Sequence, residues 1–172
     1  MIKKIFNVTL LIIAKRLTFF IKNIFKEKIY KNTNEVKKYS NLIDNKGVVI
    51  IEDYLDKKSC DSIINVIESF HAENKELTWN DKFNSEYRLH GAEKIDKEIN
   101  NFFSNNLLIN IGSCCAKTSL LNLMTMANKV KYSQNNLGSG GGWHRDDYNF
   151  QFKAILYLND VTSNNGPFQF IE

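Results

Sequence analysis

A chain of 172 residues that is 43% hydrophobic and 12% aromatic can bury one core, which excludes an intrinsically disordered protein. The formal net charge of +4 is unevenly held, because residues 1–38 carry ten basic side chains against Glu27 and Glu35, a net of +8, and leave the remainder at −4. A basic leader ahead of a mildly acidic body favours attraction to anionic lipid over nucleic-acid binding.

The three cysteines, Cys60, Cys114 and Cys115, fit neither a disulfide framework nor paired zinc-ligand spacing. They point to a reducing, cytoplasmic setting in which the thiols act as small buried hydrophobes.

Residues 1–31 form the first predicted element, a basic amphipathic helix. Lys4, Lys15, Lys22 and Lys26 fall on one stripe, and Ile5, Phe6, Ile12, Phe19 and Ile24 share the opposite face. Its apolar run, Val8 to Ala14, is broken at Lys15 and Arg16, well short of the roughly 20 residues a crossing needs. Peripheral membrane contact through residues 2–30 ranks first, a helix packed on its own domain second, and a signal peptide third, since no small-x-small cleavage site follows.

Residues 32–41 are polar and read as a linker, and a domain over 42–172 follows. Gly47 to Ile51 reads as a buried strand, and Asp56 to Phe70 as a helix with Asp56 or Ser59 as its N-cap. His71 to Gly91 lacks a clear period and reads as loop. Two more helices are expected over Ala92–Phe103 and Leu107–Lys117. From Thr118 onward SLLNLMTMANKVKYS, FKAILYLNDV and PFQFIE are strand-like, joined by Gly- and Asn-rich turns. Helices followed by strands without interleaving predict an α+β fold: an antiparallel jelly-roll, cupin-like core with N-terminal helices packed outside.

Chemistry concentrates in Gly138-Ser139-Gly140-Gly141-Gly142-Trp143-His144-Arg145-Asp146-Asp147-Tyr148. Side chains two apart on extended backbone point the same way, so His144 and Asp146 can both reach one metal ion while Arg145 faces elsewhere. Two histidines and one carboxylate make the facial arrangement of non-haem iron, with open positions for substrates, and two of those three groups are found here. Asp147 is a less favoured substitute for Asp146, and His71 and His90 are expected to be surface or core histidines. The Gly run allows a sharp turn ahead of the ligands, and Trp143 can wall a pocket. As a phosphate cradle that run lacks the Gly-Lys-Ser/Thr ending and opens no helix.

The segment WHRDDYNFQFKAILYLNDVTSNNGPFQFI resembles the metal-binding stretch of the phytanoyl-CoA dioxygenase-like family, and LIDNKGVVIIEDYLDKKSCDSII is similar to that family's opening. The resemblance, over roughly residues 42–172, implies a double-stranded β-helix, Fe(II), and 2-oxoglutarate and oxygen as co-substrates. It implies hydroxylation of an unactivated C–H bond, with His144 and Asp146 in the first two iron-ligand positions. The family's third ligand, a His, and the Arg that pairs with 2-oxoglutarate lie beyond the position of Pro167, and neither is present by Glu172. The expectation is therefore a fragment, inactive as it stands, with a jelly roll incomplete at its C-terminus. Asn122, Thr125 and Lys131 are weaker candidates for 2-oxoglutarate contacts. The expected substrate is a small molecule or a lipid-linked or glycan-precursor compound, and no nucleic acid is expected. The rival reading is a non-catalytic cupin-like module that binds a sugar or lipid.

Overall fold

The computed structural model describes residues 30–132, 134, 142–147 and 150–170. The basic segment 1–29, and with it most of the expected amphipathic helix, lies outside the described residues. Among the described residues no helix is long and apolar enough to cross a membrane.

Helix α1 covers Asn34–Lys46, where a linker was expected. The Thr33 hydroxyl caps it by accepting from the Val36 N–H at 3.2 Å, and Gly47, at φ +74°, closes it with a left-handed turn that returns its N–H to the Ile43 carbonyl. Only Val36 and Ser40 are buried. An i, i+4 pair in a polar sequence is too narrow a signal to read as an apolar stripe, yet it suffices to hold the helix once a partner covers it. The expected strand at Gly47–Ile51 is not formed, because Gly47 is the helix cap and Ile50 is exposed.

Helix α2, Lys57–Glu73, starts as the sequence requires. Asp56 Oδ1 accepts from the Ser59 N–H at 2.7 Å, which settles the cap in favour of Asp56. Its apolar face buries Ile63 and Ile67.

The stretch expected as loop holds a single 3-10 turn (Lys75–Leu77) and two short strands, β1 (Trp79–Asn80) and β2 (Glu86–His90). Asp81 organises their turn, with Oδ1 accepting from the N–H groups of Ser85 at 2.7 Å and Glu86 at 2.8 Å. These strands are too short to show a period, and their pairing is completed from far along the chain by β3 (Met126–Val130). The sheet is antiparallel in the order β1-β2-β3, with Tyr87 opposite Lys129 and Leu89 opposite Ala127.

The helix expected over Ala92–Phe103 is divided. A 3-10 turn, Ala92–Lys94, comes first; helix α3, Lys97–Phe103, then starts at Asp96, which accepts from the Glu98 and Ile99 N–H groups. Helix α4, Asn106–Ala116, is capped by Asn105 and packs on α1.

The core lies between α2 and one face of the sheet. Ile63 and Ile67 meet Tyr87, Leu89, Ala92 and Ile99, with Phe70, Ala127 and Leu158 packed around them. Period-2 alternation sends Tyr87 and Leu89 to the helices and Arg88 to the other face, where its guanidinium sits 4.7 Å from the Trp79 ring.

Of the later strand-like segments, FKAILYLNDV and the described part of PFQFIE pair with no strand among the described residues. Phe152 instead presses on Gly112 of α4. Mixed helix with a small antiparallel sheet is α+β; the three strands among the described residues do not by themselves make the roughly eight of a jelly roll.

Candidate metal centre

Gly142 sits at φ +108°, with open space where a Cβ would stand. Glycine is needed there for the backbone turn rather than for room. The turn aims the Gly142 carbonyl at the ring that follows, and His144 Nδ1 lies 2.8 Å from that oxygen. A carbonyl only accepts, so Nδ1 carries a proton and Nε2 is left to face outward.

Nε2 meets Asp146 Oδ1 at 3.0 Å, and the two side chains are 47% and 42% exposed. An ion from solvent can therefore reach both. The carboxylate that approaches His144 belongs to Asp146; the Asp147 backbone carbonyl accepts from Arg145 Nε at 2.8 Å. Nε2 either carries a second proton for Asp146 to accept or offers its lone pair to a cation.

Lys153 adds what the sequence did not disclose: its ammonium donates to Asp146 Oδ2. That hydrogen bond above all, with the charges of Lys153 and His144, outweighs desolvation and holds the Asp146 carboxyl below the usual aspartate range. Seven residues separate the pair, with no motif to announce it, so only the folded path of 146–153 brings them together.

The donor geometry of the pair suits a metal ion. Two adjacent ligands of an octahedral ion with bonds of about 2.1 Å stand about 3 Å apart, and the His144–Asp146 spacing fits that edge. The N–H of Nδ1 bound to a carbonyl is likewise the usual way a ligating imidazole is oriented. A third ligand is not at hand: no group of three His, Cys, Asp or Glu side chains among the described residues could hold a metal ion. His71 Nδ1 lies 2.9 Å from the Thr78 hydroxyl and its ring stacks on Tyr87, while His90 ends β2 opposite Met126.

The weaker candidates are committed elsewhere. Asn122 donates to the Phe103 carbonyl, the Thr125 backbone pairs with Glu93 and with the Gly91–Ala92 turn, and Lys131 lines a cleft beside α2. Trp143 is 67% exposed among the described residues. Gly138–Gly141 lie outside the described residues. The three cysteines are half-buried rather than buried, and desolvation, reinforced by Asp44 and Cys114, pushes the Cys115 thiol up to about 11.

No curated protein and no solved structure matches the chain. The family model for phytanoyl-CoA dioxygenase (PhyH) matches residues 43–172, which include α2, the sheet and the His144–Asp146 pair. On that match the chain belongs to the phytanoyl-CoA dioxygenase family.

Proposed function

We propose that this chain contributes His144 and Asp146 to the metal site of an Fe(II)/2-oxoglutarate-dependent hydroxylase. The family is one of 2-oxoglutarate-dependent dioxygenases whose members use Fe(II). The observation that carries the reading to particular residues is the 3.0 Å approach of His144 Nε2 to Asp146 Oδ1, with Nδ1 already committed to Gly142.

In this reading His144 and Asp146 would hold the iron, and the Gly142 carbonyl, by taking up Nδ1, leaves the lone pair of Nε2 for it. When bound, Fe(II) would let dioxygen oxidise both 2-oxoglutarate and an unactivated C–H bond, one oxygen atom going to the new hydroxyl and the other to succinate, with release of carbon dioxide. Lys153 keeps the Asp146 carboxylate ionised, the form that would bind a cation. The double-stranded β-helix is part of the same proposal, with β1-β2-β3 as one of its layers. His144 and Asp146 by themselves would hold iron weakly, because two protein ligands make a loose site.

The substrate class is proposed as a small molecule or a lipid-linked or glycan-precursor compound, the latter because of the basic, amphipathic pattern of residues 2–30. Removing residues 1–31 should then lower partition onto anionic vesicles, and unchanged partition would remove the lipid-linked option.

One observation favours a second reading, a binding module without redox chemistry: Lys153 already neutralises Asp146. Titration with Co(II), followed by its visible absorption, separates the two. The hydroxylase reading expects a saturable signal that His144→Ala and Asp146→Ala each abolish, and iron-dependent release of succinate. A protein indifferent to iron leaves the binding module standing.

A further inference from the structure

On the helix side of the sheet, α2 and strands β2 and β3 border an open cleft of about 560 Å³. Its lining runs from Glu68 to Lys131 and includes neither His144 nor Asp146. Tyr87 and Lys129, opposite one another in the β2–β3 register, form its inner wall, and the His71 ring lies flat on Tyr87 with centroids 3.8 Å apart.

Charge in the cleft is unbalanced. Lys129 pairs with Glu68, and Glu86 pairs with Arg88 Nε at 2.6 Å. Those two pairs leave the Lys75 and Lys131 ammonium groups, which line the same cleft, without an anionic partner among the described residues. The Tyr87 side chain is nine-tenths buried, and its hydroxyl has no hydrogen-bond partner among the described residues. A buried hydroxyl left unmatched is unfavourable unless a bound group completes it.

We propose that this cleft binds the phosphate group of a small phosphomonoester. Two uncompensated ammonium groups match a dianion, where a monocarboxylate would neutralise only one. Tyr87 and Asn84 both line the cleft, and their hydroxyl and amide are neutral donors that a group with three terminal oxygens can accept from. The stacked His71 ring holds Tyr87 in place, so the hydroxyl is positioned before the ligand arrives.

The site is independent of the iron reading, and its test keeps the two apart. The ¹⁵N-labelled full chain is titrated with inorganic phosphate and then with glycerol 3-phosphate, with acetate as the comparison anion. Saturable shifts are expected at the amides of Lys75, Ser85, Tyr87 and Lys131, with glycerol 3-phosphate at least as tight as phosphate and acetate not saturating. The double substitution Lys75→Gln/Lys131→Gln, at two surface positions, should weaken binding by roughly tenfold or more, and Tyr87→Phe by about threefold. His144→Ala should leave the titration unchanged. Equal affinity in the folded Lys75→Gln/Lys131→Gln protein, saturation by acetate at the same concentrations, or no saturation below about 10 mM phosphate overturns the proposal.

Discussion

The carbonyl oxygen of Gly142 lies 2.8 Å from Nδ1 of His144 and thereby decides which nitrogen of the ring is free. That bond depends on a backbone angle, φ +108°, which an L side chain adopts only under strain. Gly142→Ala has open space for its methyl group, so any effect is conformational. It should turn the carbonyl away and weaken Co(II) binding by about tenfold or more, the usual cost of losing a group that orients a ligand. Thermal stability should move little because the loop is exposed. Unchanged Co(II) affinity would separate the turn from the metal site.

Gly112 makes a different demand, one of space. A Cβ there would stand 2.6 Å from Phe152 Cδ1 and 2.8 Å from Cγ, too close for a ring to accommodate without moving. Gly112→Ala should cost about 1–3 kcal/mol by overpacking, seen as a lower midpoint in urea unfolding. Pairing it with Phe152→Leu should recover part of the loss. Simple additivity in that double-mutant cycle would show that the contact does not limit packing.

Asp56 links stability to pH. The Ser59 backbone N–H donating to its carboxylate, helped by the Ser59 hydroxyl, holds its pKa below the ordinary aspartate value of 3.8. A carboxyl lowered by folding contributes its full stabilisation above the ordinary value and loses it as pH falls through the folded value. The stability gap between the native chain and Asp56→Ala should therefore be constant near neutrality and close in acid below 3.8. A gap that persists unchanged well below that pH would mean that the cap acts through something other than its charge.

Cys115 offers a chemical check on the α1–α4 packing. Its thiol is pushed up to about 11 by desolvation, with Asp44 of α1 and Cys114 adding to the effect. At pH 8 the thiolate is scarce, so iodoacetamide should modify Cys115 more slowly than an unstructured cysteine peptide by a factor on the order of a hundred. Asp44→Asn should speed the reaction modestly. Rapid labelling of Cys115 in the folded chain would contradict the burial of that helix face.

Local patterns made part of this protein legible. Helix α2 could be read from Ile63, Ile67 and Phe70 at helical spacing behind an Asp56 cap, because both signals are written within one or two turns of chain. The metal pair could be nominated because His144 and Asp146 are two residues apart, a spacing that extended backbone turns into a shared direction. Helix α1 escaped notice because its burial rests on Val36 and Ser40 alone, which α4, some seventy residues onward, packs against. Strands β1 and β2 were hidden for a similar reason, since β3 completes their ladder from residue 126 onward.

What the amino-acid order determined by itself was therefore short-range: caps, periodic apolar faces, the family motif and the two candidate ligands within it. Tertiary structure decided the contacts that cross the chain, among them Lys153 on Asp146, Phe152 on Gly112, and the cleft where Tyr87 meets Lys75 and Lys131. The physical reason is that a side chain's partner is set by the backbone path between them, and that path follows from packing the whole core rather than from any one segment.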